Sequence, residues 1–268
     1  MTGLSNRYRH AAREHFVKAE ALLATGDDEV IRYAALELRL TIESLCYGLL
    51  VAYRNEIPKS GLRHWTPKQV LDELLQADPR ATSDVAIRSA RQDAGPPRFK
   101  SLGTERRFSV KWANKNHNAL SRGALHVPSV QQTIDGAGFS PSKLRDTCTG
   151  VATKLREVIA SPIWHVNLAQ FYSFACDCGF EIKRRSDLVK SGDRLVCSDC
   201  GRTYDVLSAG ETILVEKSKV RWECFGCNET VAFDELELTD HVTTNCPKCG
   251  RAAELRKQWV VIDQPGAD

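Results

Sequence analysis

The stretches VCSDCGR, Val196–Arg202, and NCPKCGR, Asn245–Arg251, decide how the last third of the chain folds. Each sets two cysteines three positions apart, ahead of a glycine and an arginine. Cys197, Cys200, Gly201 and Arg202 recur 49 positions on as Cys246, Cys249, Gly250 and Arg251. Moving back 49 positions from Cys227 reaches Cys178, and 48 from Cys224 reaches Cys176. The C-terminal third is therefore a duplicated unit with four cysteines per copy. Both copies leave 18 residues between their cysteine pairs, enough for a β-hairpin excursion and return.

Four thiolates at this spacing suit Zn²⁺, which takes a tetrahedral set about 2.3 Å away. A tight turn holding two cysteines is a knuckle, and its glycine permits the positive φ that the turn needs. The spacing predicts two structural zinc ions. One is held by Cys176, Cys178, Cys197 and Cys200, the other by Cys224, Cys227, Cys246 and Cys249. Phe174 and Trp222, two residues before each first cysteine, are expected to cover one side of each metal. Disulfides or plain buried thiols are the alternative, and iron in a rubredoxin-like site is the other metal such a set takes. The opening MTGLSNRYRHAAREHF is charged throughout and carries no secretory core, so a cytoplasmic protein with reduced thiols is expected. Cys46 and Cys148 lie outside both sets, in apolar helical surroundings, as inert core residues.

The rest of the chain reads as helix. Ala12, Phe16, Ala19, Leu22 and Leu23 recur at helical spacing within residues 5–25. Asp27 or Asp28 is placed to cap a long helix from Glu29 towards Pro58, whose second half is apolar around most of its circumference. Its run LCYGLLVAY, Leu45–Tyr53, is about half a membrane span, so no membrane segment is expected. Thr66 caps a further helix with Pro67 in its first position. A shorter helix is expected over Asp84–Arg91, followed by loop through DAGPPRFKSLGTERR. Helix resumes at Ser109, and Ser140 caps a last one running to about Ala160. The fold class is α+β: an N-terminal all-α helical bundle, residues 1–162, then two small β-rich zinc ribbons, 170–215 and 216–262.

Charge divides the same way. Up to His165 there are 24 Lys and Arg against 17 Asp and Glu, and beyond it 13 against 17. ETVAFDELELTD makes the second ribbon acidic, which favours a protein partner there, since a phosphate-binding face needs positive potential. The first ribbon, with EIKRRSDLVK, is the weaker nucleic-acid candidate. Arg98, Lys100, Arg106, Arg107, Lys111 and Lys115 form a basic stretch interleaved with Phe99, Phe108 and Trp112, the mixture that binds single-stranded RNA. A solvated loop anchored to the bundle by its aromatics has the same composition.

Two segments of the bundle carry a family likeness. YAALELRLTIESLCYGLL contains Leu38, Arg39 and Glu43 in a Leu-Arg-x-x-x-Glu pattern, and NALSRGALHVPS contains Leu120, Ser121 and His126. Over residues 5–160 the chain resembles the HEPN-type helical bundles. The resemblance implies a homodimer through the bundle, metal-independent RNA cleavage, and a toxin or phage-defence setting. It places the catalytic arginine and histidine at Arg122 and His126, with His117 and Asn118 near enough to line the same cleft. The family pattern has four to six residues between its arginine and histidine, whereas this chain has three. Arg122 and His126 also fit a surface pair at a helix C-terminus, where cations suit the dipole.

Three readings follow: a ribonuclease, a non-catalytic adaptor whose ribbons dock on protein or nucleic acid, and a redox or transcription-type ribbon protein. The complete four-ligand sets leave no spare thiol for the third. The chain has no GxxxxGK or GxGxxG run to hold a nucleotide.

Overall fold

The structure, a computed structural model, describes residues 2–90, 99–127, 129–135, 139–234 and 241–256. The α+β class holds: helices fill the N-terminal part, and small antiparallel strand pairs fill the C-terminal part. The chain divides into two units. The first is Met1–Phe171 with Lys183–Arg185, and the second is Tyr172–Ile182 with Ser186–Asp268. No helix among the described residues is long and apolar enough to cross a membrane.

The first unit is built around α2, Ile31–Ala52, which packs against α1 (Thr2–Ala24), α3 (Pro67–Ala77), α4 (Val110–Ala124) and α6 (Pro141–Ile159). Ala34 and Ala35 of α2 and Ala12 and Ala19 of α1 are fully buried. Small side chains on both helices let the two backbones approach. Leu38, Ile42, Leu45, Leu49 and Leu50 then fill the centre of the bundle. Cys46 and Cys148 are buried in this core. Burial pushes both thiols up, Cys148 to about 12, so they stay protonated and unreactive.

The helix signals are local and chemical. Thr66, Ser109 and Ser140 cap α3, α4 and α6 by accepting from the backbone N–H groups of Gln69, Trp112 and Lys143, with Pro67 and Pro141 at the helix starts. Neither Asp27 nor Asp28 caps α2. It starts one turn later behind Val30 with no side-chain cap, and Asp27 instead closes a turn by accepting from Glu29 N–H. The helix ends at Ala52, short of Pro58. Tyr53 turns inward there, 2 % exposed, and donates to the buried Asp78 carboxylate at 2.8 Å.

Within the segment expected to be a helix at Asp84–Arg91, Val85–Ala90 is a strand, and part of the expected loop is its partner; Arg91 lies outside the described residues. Here β1 (Val85–Ala90) pairs antiparallel with β2 (Phe99–Glu105), from Val85↔Glu105 to Ala90↔Phe99. Val85 and Ile87 are half-buried while Ala86 and Arg88 are exposed, a period of two. The partner strand satisfies the backbone groups of this segment. Residues 91–98 between the strands lie outside the described residues. A further short helix, α5, spans Val130–Ile134.

Beyond β2 the chain buries an ion pair. Arg107 donates to Glu105 Oε2 at 2.6 Å, to Ala81 O at 2.7 Å and to Val166 O at 2.7 Å. Glu105 accepts the backbone N–H groups of His165 and Val166. Each charge of the pair thus has several partners, the condition under which a buried pair is tolerated. His165 has φ 56°. Its ring meets Ser5 Oγ at 2.5 Å, and burial lowers its pKa to about 4, so the imidazole is neutral.

Gly48 of α2 makes room for that ring, because a Cβ at this position would lie 2.4 Å from His165 Nε2. Gly48→Ala is therefore expected to lower unfolding free energy by about 1–3 kcal/mol. Gly150 of α6 faces open space, so Gly150→Ala should raise it by about 0.5–1 kcal/mol. Urea unfolding followed by circular dichroism checks both signs. Equal effects of the two substitutions would remove the packing account of Gly48.

Candidate metal centres and the exposed face of α4

The second unit consists of hairpins whose turns are the knuckles. In the first copy, β3 (Phe171–Ala175) pairs with β4 (Glu181–Arg185), and β5 (Arg194–Val196) pairs with β6 (Thr203–Ala209). In the second, β8 (Lys219–Glu223) pairs with β9 (Thr230–Asp234), and β10 (His241–Asn245) with β11 (Ala252–Arg256). A strand between copies, β7 (Ile213–Lys217), extends the first copy's sheet along β6. The strands leaving and re-entering between cysteine pairs do not pair with each other, as the spacing had suggested. Each pairs across its own knuckle instead.

The knuckles share one backbone device. Cys197 N–H donates to Arg202 O and Gly201 N–H to Cys197 O; Cys246 and Gly250 repeat both bonds with Arg251 and Cys246. Cys176 does the same with Phe180 and Gly179, and Cys224 with Glu229 and Asn228. In all four knuckles the residue after the second cysteine has positive φ: Gly179, Gly201, Asn228 and Gly250. The CxC knuckle of the first copy is thus the same turn, one residue shorter.

The thiols converge. Within each set the four Sγ atoms all lie within 4.8 Å of one another. Cys176–Cys200 are 3.6 Å apart and Cys178–Cys197 are 3.7 Å apart; Cys224–Cys249 and Cys227–Cys246 are each 3.6 Å apart. Four thiolates about 2.3 Å from a common centre stand about 3.8 Å from each other, whereas a disulfide closes to about 2.05 Å. The sets therefore fit a tetrahedral metal and not two cystines. Around the buried Cys176, its burial is outweighed by the hydroxyl of Tyr204 at 3.2 Å and by neighbouring thiols, and the pKa falls to about 7. Gly226 N–H points at Cys224 Sγ, which falls to about 6. Both favour the thiolate that a metal needs. Phe174 packs on the first cluster and Trp222 on the second, as expected of them.

The two ribbons are tied by the arginine that follows a knuckle. Arg202 bonds Asp234 of the second ribbon and lies 3.6 Å from Asp177 in the first ribbon's CxC turn. Its counterpart, Arg251, donates to Phe225 O inside its own ribbon.

Of the basic stretch, Arg98 lies outside the described residues. Lys100 is exposed on β2. Arg106 is paired with Asp84 at 2.7 Å, and Arg107 is enclosed with Glu105. Phe108 is buried and stacks on the half-buried Trp112 at 5.0 Å, so both anchor the segment, while Phe99 is exposed. Lys111 and Lys115 are exposed on α4, and so are Asn118 and Arg122. Those four positions follow helical spacing, which lines them along one face. His126 is exposed but lies beyond the helix, which ends at Ala124 with Leu125 as its cap. The alignment of residues four apart therefore does not extend from Arg122 to His126.

His117, expected to line a cleft with Arg122 and His126, instead turns inward. His117 of α4 is 7 % exposed, with Nε2 2.8 Å from Glu43 Oε1 and 2.9 Å from Arg39 Nε. Arg39 Nε is 3.1 Å from the same carboxylate oxygen. Arg39 and Glu43 were visible as a Leu-Arg-x-x-x-Glu pattern. Nothing in that pattern pointed to a histidine 74 residues on.

No protein-family model, curated protein or solved structure matches the chain. The HEPN likeness thus rests on the residues quoted for it.

Elemental analysis is expected to return about two zinc per chain. Cys200→Ser should remove one and leave the second set loaded, because each set is closed by its own four thiols. Zinc near zero in protein made with adequate metal would reject both centres.

Proposed function

We propose that this chain is an RNA-binding protein of HEPN-like build that cleaves RNA without a catalytic metal, its ribbons stiffened by two structural zinc ions. The observation that carries the reading is the exposed line of Lys111, Lys115, Asn118 and Arg122 along α4. Three cations at helical spacing meet successive phosphates, and the uncharged Asn118 between them offers an amide for a sugar or base. The zinc centres take no part in the chemistry, because four thiolates leave no open position for water or substrate. The toxin or phage-defence setting follows from the resemblance alone.

Single-stranded RNA binding, followed by fluorescence anisotropy across a salt series, tests this. Replacing Lys111, Lys115 and Arg122 together by alanine should flatten the slope of log K against log salt by about 2, since each phosphate contact on a single strand contributes about 0.7. An unchanged slope, or wild-type protein that does not bind, defeats the reading.

The homodimer through the bundle has one supporting feature. Leu125, Val127, Val130 and Ile134 lie exposed after α4, a run of apolar side chains left uncovered among the described residues. Light scattering should give about twice the 29.9 kDa chain mass, and Val130→Asp with Ile134→Asp should return it to one. A monomer at all concentrations would remove the dimer.

The adaptor reading is favoured by a different observation. Phe225, in the first knuckle of the second ribbon, is 85 % exposed. An aromatic presented this way, on a ribbon of acidic composition, suits a protein partner.

A further inference from the structure

We propose that the pocket formed in the first unit by residues 78–86 and 166–169, with Tyr53, Arg107 and Arg185, binds a small hydroxycarboxylic acid. The site is separate from the exposed face of α4 and does not depend on the RNA reading.

The pocket holds about 280 Å³. At about 30 Å³ for each water of the liquid, that is room for a molecule of roughly ten non-hydrogen atoms. Its lining lies wholly in the first unit, to which Arg185 belongs. The carboxylates of the wall are already engaged. Asp78 is fully buried, and its Oδ2 accepts from the Tyr53 hydroxyl at 2.8 Å and from Arg185 Nη1 at 3.0 Å, while its Oδ1 accepts from Arg80 N–H at 2.9 Å. Asp84 is held by Arg106 Nη1 at 2.7 Å and by the Arg107 backbone N–H at 2.8 Å. A cation entering the pocket therefore finds each carboxylate taken.

Two atoms on the wall are left over, and they are of opposite sense. Arg107 gives Nη1 to Ala81 O and Nη2 to Glu105 and Val166 O, but its Nε is buried with no partner among the described residues. Asn167 reaches Ala52 O and Glu56 Oε2 with its Nδ2, each only at 3.4 Å, and its Oδ1 is buried with no partner among the described residues. Both side chains line the pocket. They are also neighbours, because Arg107 holds the carbonyl of Val166, the residue before Asn167. Buried donors and acceptors are costly to leave unmet. An occupant that answers both must accept from Arg107 and donate to Asn167.

Charge selects the kind of acceptor. The lining carries Arg80, Arg107 and Arg185 against Asp78 and Asp84. Behind it, Glu105 pairs with Arg107 and Arg106 with Asp84, and these two cancel. Glu56, beside Asn167, is offset by Lys183. The surplus is one positive charge, which suits a monoanion. A carboxylate meets Arg107 Nε in a charge-assisted bond, and a hydroxyl on the same molecule donates to Asn167 Oδ1. Val85 and Ala169 give its carbon chain an apolar wall.

The test is isothermal titration calorimetry of the zinc-loaded full chain with gluconate, a monocarboxylate that bears hydroxyls along its chain. Gluconate should bind at one site per chain. Sorbitol has an alcohol in place of the carboxylate and so loses the charge-assisted bond to Arg107. Hexanoate keeps the carboxylate but has no hydroxyl for Asn167. Each should bind at least about tenfold more weakly than gluconate. Asn167→Leu should weaken gluconate about tenfold and leave hexanoate unchanged, since only gluconate uses the amide oxygen. The long bonds of the Asn167 amide make the fold insensitive to this change, which circular dichroism checks. Should Asn167→Leu fail to fold, Arg80→Ala decides: removal of the surplus charge should weaken gluconate and leave sorbitol unchanged. Gluconate that does not bind at millimolar concentration overturns the proposal. So does sorbitol binding as tightly as gluconate, inorganic phosphate binding more tightly than it, or gluconate affinity unmoved by Asn167→Leu.

Discussion

A ribbon of short hairpins has too few buried side chains to pay for its own order, and the second unit depends on that constraint. The first ribbon's buried cluster is Cys176, Ile182, Cys197 and Tyr204, and the second's is Cys224, Val231 and Cys246. Half or more of each cluster consists of the ligands themselves. Ordering costs about 1–2 kcal/mol per backbone residue, which so small a core does not offset, whereas a structural zinc contributes about 10–16 kcal/mol. A metal held by each four-cysteine set would serve as the core. Everything else in the ribbon arranges thiols: strands that end at the knuckles, residues with positive φ after each second cysteine, and the hydroxyl and amide that favour Cys176 and Cys224 as thiolates.

The bundle works under the opposite regime. Its core is large and apolar, and the polar groups that enter it are mostly paired, though Arg107 Nε has no partner among the described residues. The Arg107–Glu105 pair is surrounded by carbonyl and amide partners, and Tyr53 and Asp78 satisfy each other. Arg39, Glu43 and His117 are likewise mutually bonded.

The basic stretch shows how composition and display separate. Its cations looked alike in the sequence, but folding sorts them. Arg107 becomes the buried half of an ion pair, and Arg106 is held by Asp84. Lys111 and Lys115 are carried outward by α4, joined there by Arg122. The aromatics divide too, Phe108 turning inward and Phe99 outward. An adjacent pair such as Arg106–Arg107 points to different sides of the chain, and which side becomes interior depends on what packs there.

The sequence by itself determined whatever is set by chemistry over a few residues. The caps at Thr66, Ser109 and Ser140 each answer an N–H three positions away, and a knuckle closes within seven residues, so these were legible before any fold was known. The two four-cysteine sets were legible as well, because duplication spelled their spacing twice. Only the tertiary structure decided what rests on distant pairing. β1 is a strand because β2 lies beside it, the ribbon strands pair across knuckles and not between them, and α2 ends where Tyr53 finds Asp78. The meeting of His117 with Arg39 and Glu43 belongs to the same class. Helical period places side chains on a face but does not say which face of another helix will lie against it; packing of the whole bundle does.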